Sequence, residues 1–240
     1  MSLPSQNGIF AALIPDGSRR AVSYDTAQYS SSYERSAEVI TDILKVCMQD
    51  QRVRIFAAWG LSDDNAQKRS SAERTLLNAL FSRYLVKLRA DVDCNPYANL
   101  KVVHMGNEEY LEKKVQQQLR DIAQHTHERT GKIFGLCLGY GSHDEMQRAV
   151  QSSHAEPERD WREFLDLPAR GRIPYQQVDL IVRTGTPSSR AYTSGFLLPY
   201  QGAGTQLRFD KNYLPDFSAD RFMLFVDEIT NPKQKPRLGA

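Results

Sequence analysis

The densest chemistry in the chain lies in five consecutive residues. Asp16, Gly17, Ser18, Arg19 and Arg20 follow directly on the apolar run Ala12-Leu13-Ile14 and on Pro15. A surface turn does not need so much charge in so few positions, whereas an anion-binding loop at the end of a buried strand does. Gly17 lets the main chain approach a ligand closely. Main-chain N–H groups at a strand-to-helix turn, together with two guanidinium groups, suit a phosphate or a diphosphate. Asp16 repels such an anion unless a cation lies between them, and a Mg²⁺ ion bridging carboxylate and diphosphate removes the conflict. The segment therefore reads as a Mg-diphosphate site with Asp16 as the metal ligand. It is neither a P-loop nor a dinucleotide fingerprint, since G-x-x-x-x-G-K-[ST] and G-x-G-x-x-G are both absent.

Such a loop needs a strand beneath it, and the chain supplies several. Phe10–Pro15, Arg52–Gly60, Leu100–Gly106, Lys132–Gly141 and Val178–Gly185 are short apolar runs that read as buried strands, with Gln206–Phe209 as a sixth candidate. Between them, apolar residues recur at helical spacing over Tyr33–Gln49 and Ala72–Ala90. A charged helix is expected from about Glu108 to Glu128, another from about His143, and a last one over Phe217–Ile229. Residues 152–177 are charged and proline-containing and read as a loop or short helix. Strand and helix in alternation predict an α/β fold, a single domain over residues 1–240 with a central, mainly parallel sheet flanked by helices. The N-terminus (1–8) and the tail (231–240) are expected to be flexible.

In open parallel sheets, ligands bind beyond the carboxyl ends of the strands. Those ends read Asp16 to Arg20; Gly60, Ser62, Asp63, Asp64 and Asn65; Gly106 and Asn107; Gly139 to Ser142; and Arg183, Thr184 and Gly185. Small and polar residues thus collect at one rim, where Arg20 and Arg183 can share an anion. Simpler roles exist for each: a helix cap for Asp16 and Asp63, a turn for Ser62 and Asn65, and a surface ion pair for Arg183.

Composition narrows the class. The 240 residues carry 31 Lys and Arg against 29 Asp and Glu, a net charge of +2, which gives no bulk electrostatic case for nucleic acid. Three cysteines without a C-x-x-C pair suit free thiols in a reducing compartment. No apolar stretch approaches the ~20 residues of a membrane span. MSLPSQNG does not resemble a secretory signal. The expectation is a cytoplasmic enzyme or binding protein without a transmembrane segment.

Several segments together carry a resemblance. They are Ile14-Pro-Asp-Gly-Ser-Arg-Arg-Ala21, Ser62-Asp-Asp-Asn-Ala66, Gly139-Tyr-Gly-Ser-His-Asp-Glu145, Val178 to Gly185, Ser194-Gly-Phe-Leu-Leu198, Leu214-Pro-Asp-Phe217 and Arg237-Leu-Gly239. In order and approximate spacing they resemble the cis-prenyltransferase family, typified by undecaprenyl diphosphate synthase, across nearly the whole chain. The resemblance implies a homodimer. It also implies Mg²⁺-dependent transfer of a prenyl group from an allylic diphosphate to a second isoprenoid diphosphate. By match, Asp16 would be metal ligand and catalytic aspartate, and Gly17, Ser18, Arg19 and Arg20 would hold the allylic diphosphate. Ser62 and Asn65 would lie near the reacting carbons, Arg183 and Ser194 would hold the acceptor diphosphate, and Arg237 and Gly239 would reach the partner's site. The helices at 33–49 and 72–90 would wall a dry apolar pocket.

The chain departs from the family at both diphosphate sites. Ser18 stands for the loop asparagine, Tyr33 by count for a histidine, and Asp64-Asn65-Ala66 for Glu-Asn-Trp. Tyr192 takes the second arginine position, with Arg190 as a stand-in on a longer loop. Gln206 aligns with a late metal-binding glutamate and offers only a neutral oxygen. These changes suggest an atypical member that joins short allylic diphosphates, such as dimethylallyl diphosphate, into a short or irregular head-to-middle product. Two other readings are a terpene-synthase-like cyclase or lyase, or transfer to a non-isoprenoid acceptor, and a non-catalytic subunit of a heteromeric enzyme. The intact Asp16 loop counts against the last.

Overall fold

The structure, a computed structural model, describes residues 8–186 and 192–231. Six strands form one sheet, β1 (Ile9–Ile14), β2 (Val53–Ser62), β3 (Lys101–Met105), β4 (Ile133–Tyr140), β5 (Leu180–Arg183) and β6 (Gln206–Phe209). Every pairing is parallel, in the order β3-β4-β2-β1-β5-β6. The strands are continuous apolar runs because helices cover both faces, so the pleat sends side chains into two cores instead of one core and solvent. Ala11 and Leu13 face one core, and Phe10, Ala12 and Ile14 face the other.

The first core packs under α2 (Tyr29–Gln49), α4 (Ser71–Asp91), α5 (Lys113–Thr126) and α8 (Ala219–Thr230). The second packs under α6 (Ser142–Ser153) and α7 (Asp166–Gly171). Two short helices, α1 (Ser18–Ala21) and α3 (Asp63–Lys68), follow β1 and β2 at the rim.

The observed elements sharpen the expected ones. α2 begins a turn before Tyr33. α5 begins at Lys113, because Asn107 accepts from the Glu109 N–H and closes a separate 3₁₀ turn over Glu108–Tyr110. The region 152–177 contains the short helix α7. α8 starts at Ala219, where the Ser218 hydroxyl accepts from the Arg221 N–H as an N-cap. Cys47, Cys94 and Cys137 are free thiols. No helix among the described residues is long and apolar enough to cross a membrane.

Candidate active site

The register brings Ile14 of β1 level with Arg183 of β5, so the loops that follow these strands meet at one rim. They are stitched together by Thr184, a fully buried residue. Its hydroxyl accepts from the Asp16 N–H at 2.9 Å and donates to the Asp16 carbonyl at 2.8 Å. The Leu214 N–H donates to that same carbonyl at 3.0 Å. Two glycines make the approach possible. Gly17 sits at φ 106°, and a Cβ there would drive into the Tyr213 ring. Gly185 sits at φ 66°, and a Cβ there would stand 2.9 Å from the Asp16 carbonyl oxygen. Both conformations favour glycine.

Asp16 is not a helix cap. The N-cap of α1 is Gly17, and no side chain caps that helix. Instead the carboxylate is held between two arginines. Oδ1 accepts from Arg20 Nη2 at 2.9 Å and Oδ2 from Arg183 Nη2 at 2.7 Å. Arg20 lies over the Tyr213 ring, 5.2 Å from its centroid. Arg183 is buried, with its Nη1 donating to Ser194 Oγ at 2.7 Å and to the Tyr192 carbonyl at 3.1 Å. The Tyr192 ring covers the guanidinium at 4.2 Å. The structure thus joins Asp16, Arg20, Arg183 and Ser194 in one cluster, with Tyr192 over it.

Across the cleft the arrangement is different. Ser62 caps α3, its hydroxyl accepting from the Asn65 N–H at 3.0 Å. Asp63 and Asp64 lie in the first turn of that helix, and Asp64 pairs with Lys68. Asn65 lines the cleft. Ser18 bonds through its hydroxyl to Ser36 at 2.7 Å and through its carbonyl to Ser32, which fixes the loop to α2. Arg19 approaches Glu73 at 3.9 Å. Arg190, Arg237 and Gly239 lie outside the described residues. Gln206 opens β6 opposite Leu180, while Phe209 pairs with Arg183. The rim position at that edge is therefore held by Asp210, whose buried carboxylate is bonded to the Asn212 N–H and Arg221. The structure does not bring Gln206 to Asp16.

Arg69 and Glu73 escaped the sequence reading of the site, which named only their partner Tyr33. Arg69 donates to Glu73 at 2.7 Å and to the Tyr33 hydroxyl at 2.8 Å, and Tyr33 in turn bonds Glu73. The Arg69 Nε is buried and has no hydrogen-bond partner. The i,i+4 spacing of Arg69 and Glu73 was a signal, but one common to any helix surface.

Asp16, Arg19, Arg20, Arg69 and Arg183 all line one cleft of about 750 Å³. Ala37, Ile40, Gly60, Leu80 and Phe81 line both this cleft and a narrower apolar cavity of about 110 Å³ between α2, α4 and the sheet. The polar cleft and the apolar cavity thus share a wall.

Behind the rim, on the second core, lies a buried polar network. Glu145 of α6 accepts from Tyr140, from Tyr200 at 2.6 Å and from the Asp166 N–H at 2.8 Å. Burial, then the charge of Asp166, pushes its carboxyl up to about 7. His104, bonded to the Leu138 carbonyl, is pushed down to about 4 by burial and by Arg170. A carboxyl whose pKa rises on folding makes stability fall as pH rises from about 4.5 to about 7. An imidazole whose pKa falls makes stability drop as pH falls from about 6.5 to about 4. The two slopes oppose each other over their shared window. Glu145→Gln removes one of them, so urea melts of the variant should lose stability from pH 6.5 to pH 5 more steeply than wild type. Parallel curves would contradict this account.

An arginine-rich cleft at the rim of a parallel α/β sheet, beside an apolar cavity, suits a ligand with a polar head joined to a hydrocarbon tail. The chain belongs to the prenyltransferase family described as putative undecaprenyl diphosphate synthase, whose sequence model matches residues 14–236. It is similar to the isoprenyl transferase of Treponema denticola, 26% identical over 95% of this chain and 96% of that one. It is also similar to the tritrans,polycis-undecaprenyl-diphosphate synthase (geranylgeranyl-diphosphate specific) of Pyrobaculum aerophilum, 25% identical over 93% of each. Among solved structures, lavandulyl diphosphate synthase of Lavandula x intermedia superposes with a TM-score of 0.78 at 18% identity, covering 89% of this chain and 91% of that one. A probable undecaprenyl diphosphate synthase of Campylobacter jejuni superposes at 0.71 and 21% identity, covering 95% and 97%. The expected fold class and the reading as a prenyl-transferring enzyme are therefore established.

Proposed function

We propose that the cleft ionises a short allylic diphosphate, of the size of dimethylallyl diphosphate, and transfers its prenyl group to a second isoprenoid diphosphate, giving a short or irregular product. The observation that carries this reading is the convergence of Asp16, Arg20 and Arg183 beside an apolar tunnel. The allylic diphosphate would lie against Gly17, Ser18, Arg19 and Arg20, with the unpartnered Arg69 Nε–H as a further donor. The second diphosphate would lie toward Arg183 and Ser194. Tyr192 in place of a second arginine favours an altered acceptor there.

The donor set fits Mg²⁺ held by one protein carboxylate. Among the described residues no group of three or more His, Cys, Asp or Glu side chains forms a metal cage. Mg²⁺ commonly uses one or two carboxylates plus substrate phosphates, which matches the lone carboxylate of Asp16. When bound, the ion would offset the charge of the departing diphosphate. The arginines would stabilise the same developing charge, and the tunnel walls would keep water from the allylic carbon.

At ~10–15 Å³ per water-sized group, the apolar cavity of about 110 Å³ has room for roughly ten such groups, which favours a short chain. Phe81→Ala enlarges the junction of cleft and tunnel and should shift products to longer chains by mass spectrometry, with the same donor and acceptor. An unchanged distribution would detach Phe81 from product length. A cytoplasmic homodimer is part of the proposal, and sedimentation would test the oligomer. The reading itself is tested by diphosphate release from dimethylallyl diphosphate. Release is expected with Mg²⁺ and not with EDTA. No release from any short allylic substrate would sink it.

A further inference from the structure

On the face of β2 that belongs to the second core, Ile55 and Ala57 are fully buried, whereas Trp59, next in that row, is half-buried and lines the cleft. Its orientation is fixed. The Phe196 ring stacks on the indole, with centroids 4.7 Å apart and planes at 10°. The Tyr140 ring meets it edge-on at 6.3 Å, and Trp59 Nε1 donates to the Tyr140 carbonyl at 3.1 Å. Phe196 and Tyr140 are themselves fully buried and meet edge to face at 5.7 Å. The stacked face and the bonded N–H belong to the core; the rest of the indole belongs to the cleft wall. That place is on the acceptor side. Phe196 follows Ser194 by two residues, and Ser194 Oγ accepts from Arg183 Nη1 at 2.7 Å. Trp59, Ser142, Ser194 and Gly195 line the same cleft. Gly60, next along β2, turns to the first core and lines both the cleft and the cavity between α2 and α4. The donor's chain has that cavity, on the Gly60 side of the strand, and the Trp59 side is left to the acceptor.

We propose that Trp59 is a further catalytic residue, whose indole carries the acceptor's double bond and stabilises the positive charge that forms on it. This rests on the reading of the cleft as a site that joins two isoprenoid diphosphates. In that coupling the donor C1–O bond breaks, and its electron pair leaves with the diphosphate. The acceptor's π pair forms the new C–C bond to C1, which leaves a tertiary cation on the acceptor. A neighbouring C–H bond then gives its electron pair to a new double bond, and its proton passes to the released diphosphate. Between these steps the charge sits on a hydrocarbon that has no hydrogen-bonding group. An aromatic face attracts such a cation, and Trp does so most strongly among the aromatic side chains. Phe196, Tyr140 and the Tyr140 carbonyl hold the indole in place beforehand, so no reorganisation is needed when the charge appears.

Trp59→Leu and Trp59→Phe separate charge stabilisation from packing. Leucine keeps an apolar side chain and removes the π face, whereas phenylalanine keeps a ring that can stack on Phe196. Coupling is measured with Mg²⁺ and dimethylallyl diphosphate, with and without isopentenyl diphosphate. Trp59→Leu is expected to lower kcat about thirtyfold. Trp59→Phe should lower it less than about fivefold, and KM should move less than about threefold in both. A wild-type kcat in Trp59→Leu, or equal losses in the two variants, would overturn the proposal. Contact has a separate readout that leaves Trp59 in place. The chain has two tryptophans, and Trp161 is not part of the cleft lining, so the tryptophan emission of Trp161→Phe reports on Trp59. With Mg²⁺, saturating dimethylallyl thiodiphosphate, whose C–S bond resists ionisation, should change that emission. Inorganic diphosphate, a head without a tail, should leave it unchanged. Calorimetry on the same samples reads binding itself. Thiodiphosphate binding with no emission change, or with no more change than inorganic diphosphate causes, would overturn the role of Trp59 while leaving the cleft a prenyl diphosphate site. No binding of either ligand, with no coupling by wild type, would overturn that reading and this proposal together.

Discussion

Asp16→Ala should lower kcat for prenyl transfer by at least about a thousandfold, the scale associated with removing a key electrostatic group from the site where charge develops. The loss should fall on kcat more than on protein stability. The Asp16 side chain is 29% exposed. The main-chain bonds to Thr184 and Leu214 do not depend on it. A melting temperature within a few degrees of wild type, with activity gone, is the expected pair of results. This outcome separates the metal-ligand role from a structural one. If Asp16 served only to pin Arg183, activity would be partly retained, since Ser194, Thr186 and the Tyr192 carbonyl still hold that guanidinium. A loss of less than about tenfold would fit that lesser role and contradict ours.

Asp166→Ala should carry the largest cost in stability, about 3 kcal/mol in urea unfolding. Asp166 is buried and joins the end of β3, α6 and its own helix α7. It accepts from the Gly106 N–H after β3 at 2.7 Å, from both terminal nitrogens of Arg148 on α6 at 2.9 Å each, and from Arg170 on α7 at 3.0 Å. Its own N–H donates to Glu145. Alanine leaves a buried N–H without a partner and two arginines without their shared carboxylate. Arg148 and Arg170 are 31% and 37% exposed and can turn partly to water, which keeps the cost below that of stranding a fully buried charge. Its carboxyl is held below the usual range by Arg148 and Arg170 against the opposing effect of burial. Asp166 therefore stabilises above the ordinary carboxylate pKa, and that contribution is lost as pH falls through its lowered value. A cost under about 1 kcal/mol would mean that the network is dispensable.

The two charged centres differ in how far the sequence revealed them. The loop at Asp16 was legible because its charges are contiguous and follow a strand whose apolar run is unmistakable. Arg183 was legible because parallel strands deliver their carboxyl ends to one rim. The β5 register then turned two separate segments into one site. Asp166 and Arg170 stayed hidden within a charged, proline-containing stretch that read as a loop or short helix. Arg170 reaches Asp166 from one turn away on α7, but Arg148 reaches it from 18 residues away on α6, and only the tertiary fold selects that pair from many possible ones. Gln206 illustrates the opposite limit. Its alignment with a metal-binding position was a matter of counting. The strand register, which counting along the chain cannot supply, sets it opposite Leu180 and away from Asp16. The cap of α3 is Ser62, where the sequence reading favoured Asp63, because a serine before Asp-Asp-Asn is a strong N-cap.

The central claim is that this cleft joins two short isoprenoid diphosphates. Its most direct test is mass spectrometry of the products formed with Mg²⁺ and dimethylallyl diphosphate, with and without isopentenyl diphosphate, by wild type and by Asp16→Ala. We predict a coupled ten-carbon product from dimethylallyl diphosphate alone, abolished in the variant. A product that forms only with isopentenyl diphosphate and grows to long chains would contradict the account, because it would require an ordinary acceptor site and a tunnel deeper than the one between α2 and α4.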